Sequence, residues 1–291
     1  MADAPFDQAE GLRRLLKFSR ARTIAVVAGT RGAGATSCVL NLASALARQG
    51  RRVLAVDENA ERTLPQRVGL RPRCDLRDAF EGSRSLADAL LHAPGGFSVV
   101  SAAEAVRALP GIDARSEARA IGYFMELDRA ADIVLLDVRS DADEPSPFAA
   151  AAQEVIVIVT PVSSSITGGY AALKHMSRSH GRRRFRLLIN RAPDETTARR
   201  VHMNMAAVAK TRLDATLEFM GAVPNDPAIA KSAHRFVSAV DAAPTAAASR
   251  RFCEHATAML RWSAPQNDSS RLDNFMQRAI YGSRLAVGAG V

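Results

Sequence analysis

The sequence predicts an α/β protein: a doubly wound, mostly parallel sheet of about seven or eight strands with helices on both faces. Three observations carry this. Short runs rich in Val, Ile and Leu recur at 23–28, 52–56, 97–100, 132–137, 154–160, 185–190 and 217–223. A strand buried on both faces of a parallel sheet reads as unbroken apolar sequence rather than as alternation. Helical stretches lie between these runs, at 36–49, 165–177, 195–211 and 246–262. Alternation of this kind joins parallel strands by right-handed crossovers. Finally, a glycine-rich turn links the first strand directly to the first helix, which carries Val39, Leu42, Ala43 and Leu46 on one face and stops at Gly50.

The 291 residues, 47% of them hydrophobic, are ample for one buried core. Residues 1–22 read as a short amphipathic segment, 23–262 as the domain, and 263–291 as a polar linker followed by a candidate helix at 273–287. No apolar run approaches the roughly 18 residues needed to span a bilayer. The first ten residues are polar and acidic, which predicts a cytoplasmic chain rather than a secreted one. Cys38, Cys74 and Cys253 are far apart and suggest neither a metal site nor a disulfide framework. The formal charge is +9, and 35 of the 39 basic residues are arginine. A basic surface favours anionic partners, although genome composition and solvated faces account for such a bias as well.

The chemistry-bearing segment is Gly29, Thr30, Arg31, Gly32, Ala33, Gly34, Ala35, Thr36, Ser37. In open α/β folds ligands sit beyond the carboxyl ends of the strands. A glycine-rich turn there lets backbone N–H groups wrap a phosphate, and the helix N-terminus adds partial positive charge. An ordinary phosphate loop places lysine before Ser/Thr to reach the β- and γ-phosphates. Here that position is Ala35, while the Thr36 hydroxyl, the usual Mg²⁺ ligand, is present. Asp57 and Asp137 end two of the apolar runs, where Mg²⁺ or its water shell would be held.

The loop, Asp57, Asp137, Thr160-Pro161, Asn190-Arg191 and Gly221 to Pro224 resemble the MinD/ParA family of deviant P-loop ATPases over about residues 22–262. The resemblance implies a P-loop NTPase fold, ATP or ADP with Mg²⁺ (held through Thr36, Asp57 and Asp137), and nucleotide contacts from the loop, Asn190, Arg191, Pro224 and Asp226. It also implies a homodimer that closes on ATP. Family members carry two loop lysines, which align with Thr30 and Ala35; a second switch aspartate aligns with Asn59. Arg31 is displaced by one position from the first lysine. No residue is singled out as catalytic beyond the switch positions Asp57, Asn59 and Asp137.

Residues 6–15 contain Asp7, Gln8, Ala9, Leu12, Arg13 and Leu15 and are similar to the DQAxxLR segment of the FlhG/FleN regulators of flagellar number and placement. This resemblance implies binding to, and stimulation of, the signal-recognition-type GTPase FlhF, in the cytoplasm or peripherally at the inner membrane and cell pole. Loss of a stabilising cation at a reacting phosphate commonly slows turnover by about 10²–10³. The expected protein is therefore a regulator in which nucleotide binding is weak or lost and there is little or no ATP hydrolysis. Two other readings stand beside it: a working MinD/ParA ATPase in which Arg31 or another group replaces lysine, and a ParA-like DNA-partitioning protein.

Two further segments invite function. Phe275, Met276, Ala279 and Ile280 form an apolar stripe with Arg278 and Arg284 nearby. It reads either as a weak membrane-binding helix or as a helix packed on the core. The run Arg182, Arg183, Arg184, Phe185, Arg186 is a dense positive patch, for which phosphate or RNA contact is one reading and a solvated face the other. Nucleic acid is not the expected partner.

Overall fold

The computed structural model describes residues 21–61, 63–139, 146–262 and 272–288. Its centre is an eight-stranded sheet in the order β3-β4-β2-β5-β1-β6-β7-β8. The strands are β1 (Arg22–Ala28), β2 (Val53–Asp57), β3 (Leu91–His92), β4 (Ser98–Ser101), β5 (Ile133–Asp137), β6 (Glu154–Val159), β7 (Arg184–Ala192) and β8 (Thr216–Pro224). Seven are parallel; the two-residue β3 runs antiparallel to β4 at the edge. Each of the seven predicted runs holds one parallel strand. The edge pair Leu91–His92 is too short to leave a periodic signal.

The helices follow in chain order. The first half contains α1 (Ala35–Arg48), α2 (Leu64–Arg67), α3 (Leu76–Glu81), α4 (Leu86–Ala89), α5 (Ala103–Ala108) and α6 (Ala114–Ala130). The second half contains α7 (Pro147–Ala151), α8 (Ser163–Ser179), α9 (Glu195–Leu213), α10 (Pro227–Ala233), α11 (Ala239–Ala242), α12 (Ala247–Leu260) and α13 (Leu272–Gly288).

Strand alternation sends side chains to two cores. Val134 and Leu136 of β5 face one, with Phe124, Leu173, Met205 and Phe275 from the helices. Ile133 and Leu135 face the other, with Leu42 and Leu46 of α1 and Phe252 of α12. Every residue of β2 and β5 is buried, which explains their unbroken apolar sequence. It also places the two terminal carboxylates, Asp57 and Asp137, side by side in register at the carboxyl edge.

Helix α13 occupies the span proposed for a membrane helix, and the structure corrects that expectation. Phe275, Met276, Ala279 and Ile280 are at most 1% exposed. Phe275 lies 5.6 Å from Phe124 and 5.4 Å from Phe148, ring centre to ring centre. Arg278 donates to the Ala151 carbonyl at 2.7 Å, and Arg284 to Glu117 at 2.8 Å. A stripe already packed in a core is not available to lipid. Among the described residues no helix is long and apolar enough to cross a membrane.

The arginine run is likewise built in. Arg182 donates to the carbonyls of Gln153, Ala150 and Ala152. Arg183 binds the Ser177 hydroxyl at 2.6 Å and the Leu213 carbonyl at 3.1 Å. Arg184 pairs with Glu218, and Arg186 bridges Glu154 and Glu218 while its guanidinium lies 3.9 Å from the Trp262 ring centre. These groups close the ends of helices and join neighbouring strands, so the density of charge in the sequence does not become an open anionic-ligand surface.

Candidate functional site

The turn between β1 and α1 is fixed from three sides. Gly29 N–H donates to the Ile158 carbonyl of β6 at 2.9 Å. A side chain at Gly29 would sit 2.4 Å from the Ser165 carbonyl oxygen, and one at Gly168 would sit 1.7 Å from the Gly29 carbonyl oxygen. Gly34 has φ +97°, a left-handed conformation that glycine adopts without strain. The side chain of Asn190 donates to the Ala33 carbonyl at 2.8 Å and accepts the Arg191 N–H at 3.0 Å. Asn190 thus clamps the loop from beside the cavity described below. No side chain caps the N-terminus of α1 and its first turn holds no acidic residue, so its N–H groups face an anion unopposed.

Beyond this turn lies a cavity of about 390 Å³. Of the residues the sequence singles out, Gly32, Gly34, Ala35, Thr36, Ser37, Asn59, Asp137 and Arg191 line it. Ala35 and Thr30 leave the loop without an ammonium group. Arg31, the loop's own cation, also borders the cavity, at its open rim, with its side chain 68% exposed and paired with Glu61 at 2.9 Å.

The two switch carboxylates have different occupations. Asp57 is fully buried; its Oδ1 accepts from Asn59 N–H and Nδ2 at 3.0 and 2.9 Å, and its Oδ2 accepts from Leu64 N–H at 2.6 Å. It therefore anchors the start of α2 from just behind the cavity wall. Asp137 is also fully buried, yet neither oxygen meets a hydrogen-bond partner, although the Thr36 hydroxyl is near enough to favour its charged form. Burial, then the neighbouring Asp57, raise its pKa well above the carboxylate range.

Glu58 was missed in the sequence. It lines the cavity at 2% exposure, with the Ser146 hydroxyl on Oε1 at 2.6 Å and Oε2 unpartnered. Burial pushes its carboxyl from an ordinary 4.5 up to about 7, against the opposing pull of Ser146 and Arg139.

Three cavity arginines were missed too: Arg67 on α2, Arg107 on α5 and Arg139 two residues beyond Asp137. Arg67 Nη1 lies 3.5 Å from the Ser37 hydroxyl, and the Nε atoms of Arg67 and Arg139 are buried without partners. Arg191 is the extra residue of a β-bulge between β7 and β8 and has φ +54°, a conformation non-glycine residues seldom hold away from a site that uses it.

The remaining candidates lie elsewhere. Pro224 lines a second cavity, about 460 Å³, with Arg250 and Arg251. Asp226 accepts from Ala228 and Ala248 N–H and lines neither cavity. Gly29, Thr30 and Ala33 shape the loop from outside the cavity wall. Asp7, Gln8, Ala9, Leu12, Arg13 and Leu15 lie outside the described residues.

Among the described residues no group of three or more His, Cys, Asp or Glu side chains could enclose a metal ion alone. Mg²⁺ ordinarily takes one or two carboxylates, waters and substrate phosphates. Thr36 and the unpartnered oxygens of Asp137 fit that partial set, while both oxygens of Asp57 already accept hydrogen bonds.

The comparisons agree with this geometry. Residues 24–240 match the CobQ/CobB/MinD/ParA nucleotide binding domain. The chain is 32% identical over 261 residues to the antiactivator FleN of Pseudomonas aeruginosa, covering 89% of this chain and 93% of that one. It is similar in fold to the MinD cell division protein of Aquifex aeolicus, with TM-score 0.63 and 22% identity over 85% of this chain and 100% of the other. It is similar as well to the septum site-determining protein MinD of Pyrococcus horikoshii complexed with Mg-ADP, with TM-score 0.62 and 20% identity over 83% and 96%.

Proposed function

The chain belongs to the CobQ/CobB/MinD/ParA nucleotide-binding family, as a member of its FleN type, and from that premise we propose that it regulates flagellar number and placement through protein contacts, with nucleotide as a weakly held ligand that is turned over slowly or not at all. One observation carries this reading: the phosphate loop keeps its curvature, its glycines and its open helix N-terminus, yet has Thr30 and Ala35 where the reaction needs ammonium groups. The cradle binds by geometry; turnover needs charge placed where charge develops.

Mg²⁺, when bound beside Thr36 and Asp137, supplies charge neutralisation to a polyphosphate. The chain's own residues orient and enclose it: the N–H groups of the turn point at the anion, and Asn190 keeps the turn rigid. The partner-facing element in this reading is 6–15, which engages the GTPase FlhF. The name of the Pseudomonas relative, an antiactivator, supports a restraining role in which the chain limits the output of an activator.

The test measures ATP turnover by the purified full chain and FlhF GTPase activity with and without it. Stimulation of the GTPase that is lost in Gln8→Ala and Leu12→Ala chains, with no ATP turnover above buffer, is the expected result. Rapid ATP hydrolysis would overturn the pseudo-ATPase reading. Unchanged GTPase activity would overturn the partner.

A further inference from the structure

We infer that Arg67 and Arg139 replace the missing loop lysine as the residues that grip the terminal phosphate of a nucleoside triphosphate, so that the site distinguishes triphosphate from diphosphate without any lysine. The inference rests on the nucleotide-binding reading and adds the residues that select the ligand.

Position is the first support. The turn follows β1, which lies between β5 and β6. Arg139 follows β5, and Arg67 follows β2, the strand beyond β5; both line the cavity on that side. On the other side, β7 supplies Arg191, and Pro224 at the end of β8 borders a separate recess. A nucleotide laid across the turn therefore meets Arg67 and Arg139 together at its β5 and β2 end and Arg191 at the other, and the paired end receives the phosphate chain's tip.

Unmet bonding capacity is the second. The Nε atoms of both arginines are buried with no acceptor. A buried donor without a partner is costly, and in native proteins it usually marks a ligand or water. The same cavity holds the unpartnered oxygens of Asp137 and Oε2 of Glu58, none of them within hydrogen-bond reach of either Nε. A terminal phosphate brings several acceptor oxygens to the same place, and a guanidinium can meet two of them in parallel.

Placement is the third. Asp57 Oδ2 accepts from Leu64 N–H and so fixes the start of α2, whose last residue is Arg67. That carboxylate thereby positions the arginine beside the Ser37 hydroxyl. Arg31 also borders the cavity, but it is largely exposed and already paired with Glu61.

The experiment is calorimetric titration of AMP-PNP and of ADP, each with Mg²⁺, into the full chain and into Arg67→Ala, Arg139→Ala and the double Lys variant R67K/R139K. The wild-type chain is expected to bind AMP-PNP more tightly than ADP. Each alanine variant should weaken AMP-PNP binding about tenfold or more while leaving ADP binding nearly unchanged, as loss of a charged hydrogen bond at one phosphate requires. The lysine variant should recover part of the loss, and this result remains readable where an alanine variant fails to fold. Equal weakening of both nucleotides, or no weakening of either, would overturn the arginine assignment alone. Absence of binding of either nucleotide to the wild-type chain would overturn the nucleotide reading and this inference with it.

Discussion

Two regions of this molecule are rich in arginine, and they differ in what the arginines have left to do. At the far edge of the sheet, Arg182, Arg183 and Arg186 donate to carbonyls and carboxylates of the protein itself, while Arg278 and Arg284 fasten α13. In the loop cavity, Arg67 and Arg139 keep buried nitrogens without partners, beside a carboxylate whose oxygens are also unengaged. The sequence makes the first region the more conspicuous. A dense basic run reports charge, whereas ligand capacity depends on donors that the fold has not already satisfied.

If that contrast is right, damage to the two regions separates into lost stability and lost binding. The largest effect belongs to the tail. Phe275→Ala empties a ring packed against Phe124 and Phe148 and should cost about 3–5 kcal/mol of unfolding free energy. A chemical denaturation midpoint close to wild type would show that α13 is not part of the core. Arg182→Ala comes next. It leaves three carbonyls unanswered and should cost about 2–3 kcal/mol, while nucleotide affinity, compared at a temperature where both chains are folded, stays unchanged. A selective loss of affinity would erase the distinction between the two clusters.

Glu58 sharpens the comparison from the acidic side. Its carboxyl has a raised folded pKa, so ionisation opposes folding: its contribution falls as pH rises from 4.5 through about 7. Glu58→Gln should match wild type near the lower limit and exceed it above the upper one, by about 2–3 kcal/mol as an order of magnitude. Thermal unfolding followed across that window checks the sign; a variant less stable than wild type at high pH would contradict it. Ala35→Lys, which puts an ammonium group where the loop lacks one, should tighten triphosphate binding about tenfold. The smallest effect is Arg31→Ala. An exposed ion pair with Glu61 is worth about 0–1 kcal/mol, and triphosphate affinity should barely move. A large loss would transfer the lysine's duty to Arg31.

The sheet was legible because β2, β5 and β6 are buried on both faces and therefore apolar apart from one terminal carboxylate each. The turn was legible because positive φ and close backbone approach demand glycine at fixed spacing. Asp57 and Asn190 were recognised as important, but their bonds to backbone brought near by folding were not legible, because no spacing reveals them. Arg67 was missed because nothing in its neighbourhood distinguishes one arginine among 35, and Arg139 because its single sign was slight. One local sign was available at Arg139, a cation two residues beyond a strand-ending aspartate. The tail misled for a related reason. An amphipathic stripe is the same pattern whether it meets lipid or Phe124.

The contact between Gly29 and Gly168 bears on how such a protein changes over generations. A methyl group at 168 would strike the Gly29 carbonyl, so the turn's curvature is protected by the packing of a helix that has no chemistry of its own. A lysine beside the turn enjoys no such protection and can disappear in a single substitution. The curvature of the turn is therefore held by sterics, whereas the chemistry it carries rests on side chains that sterics leave free to vary.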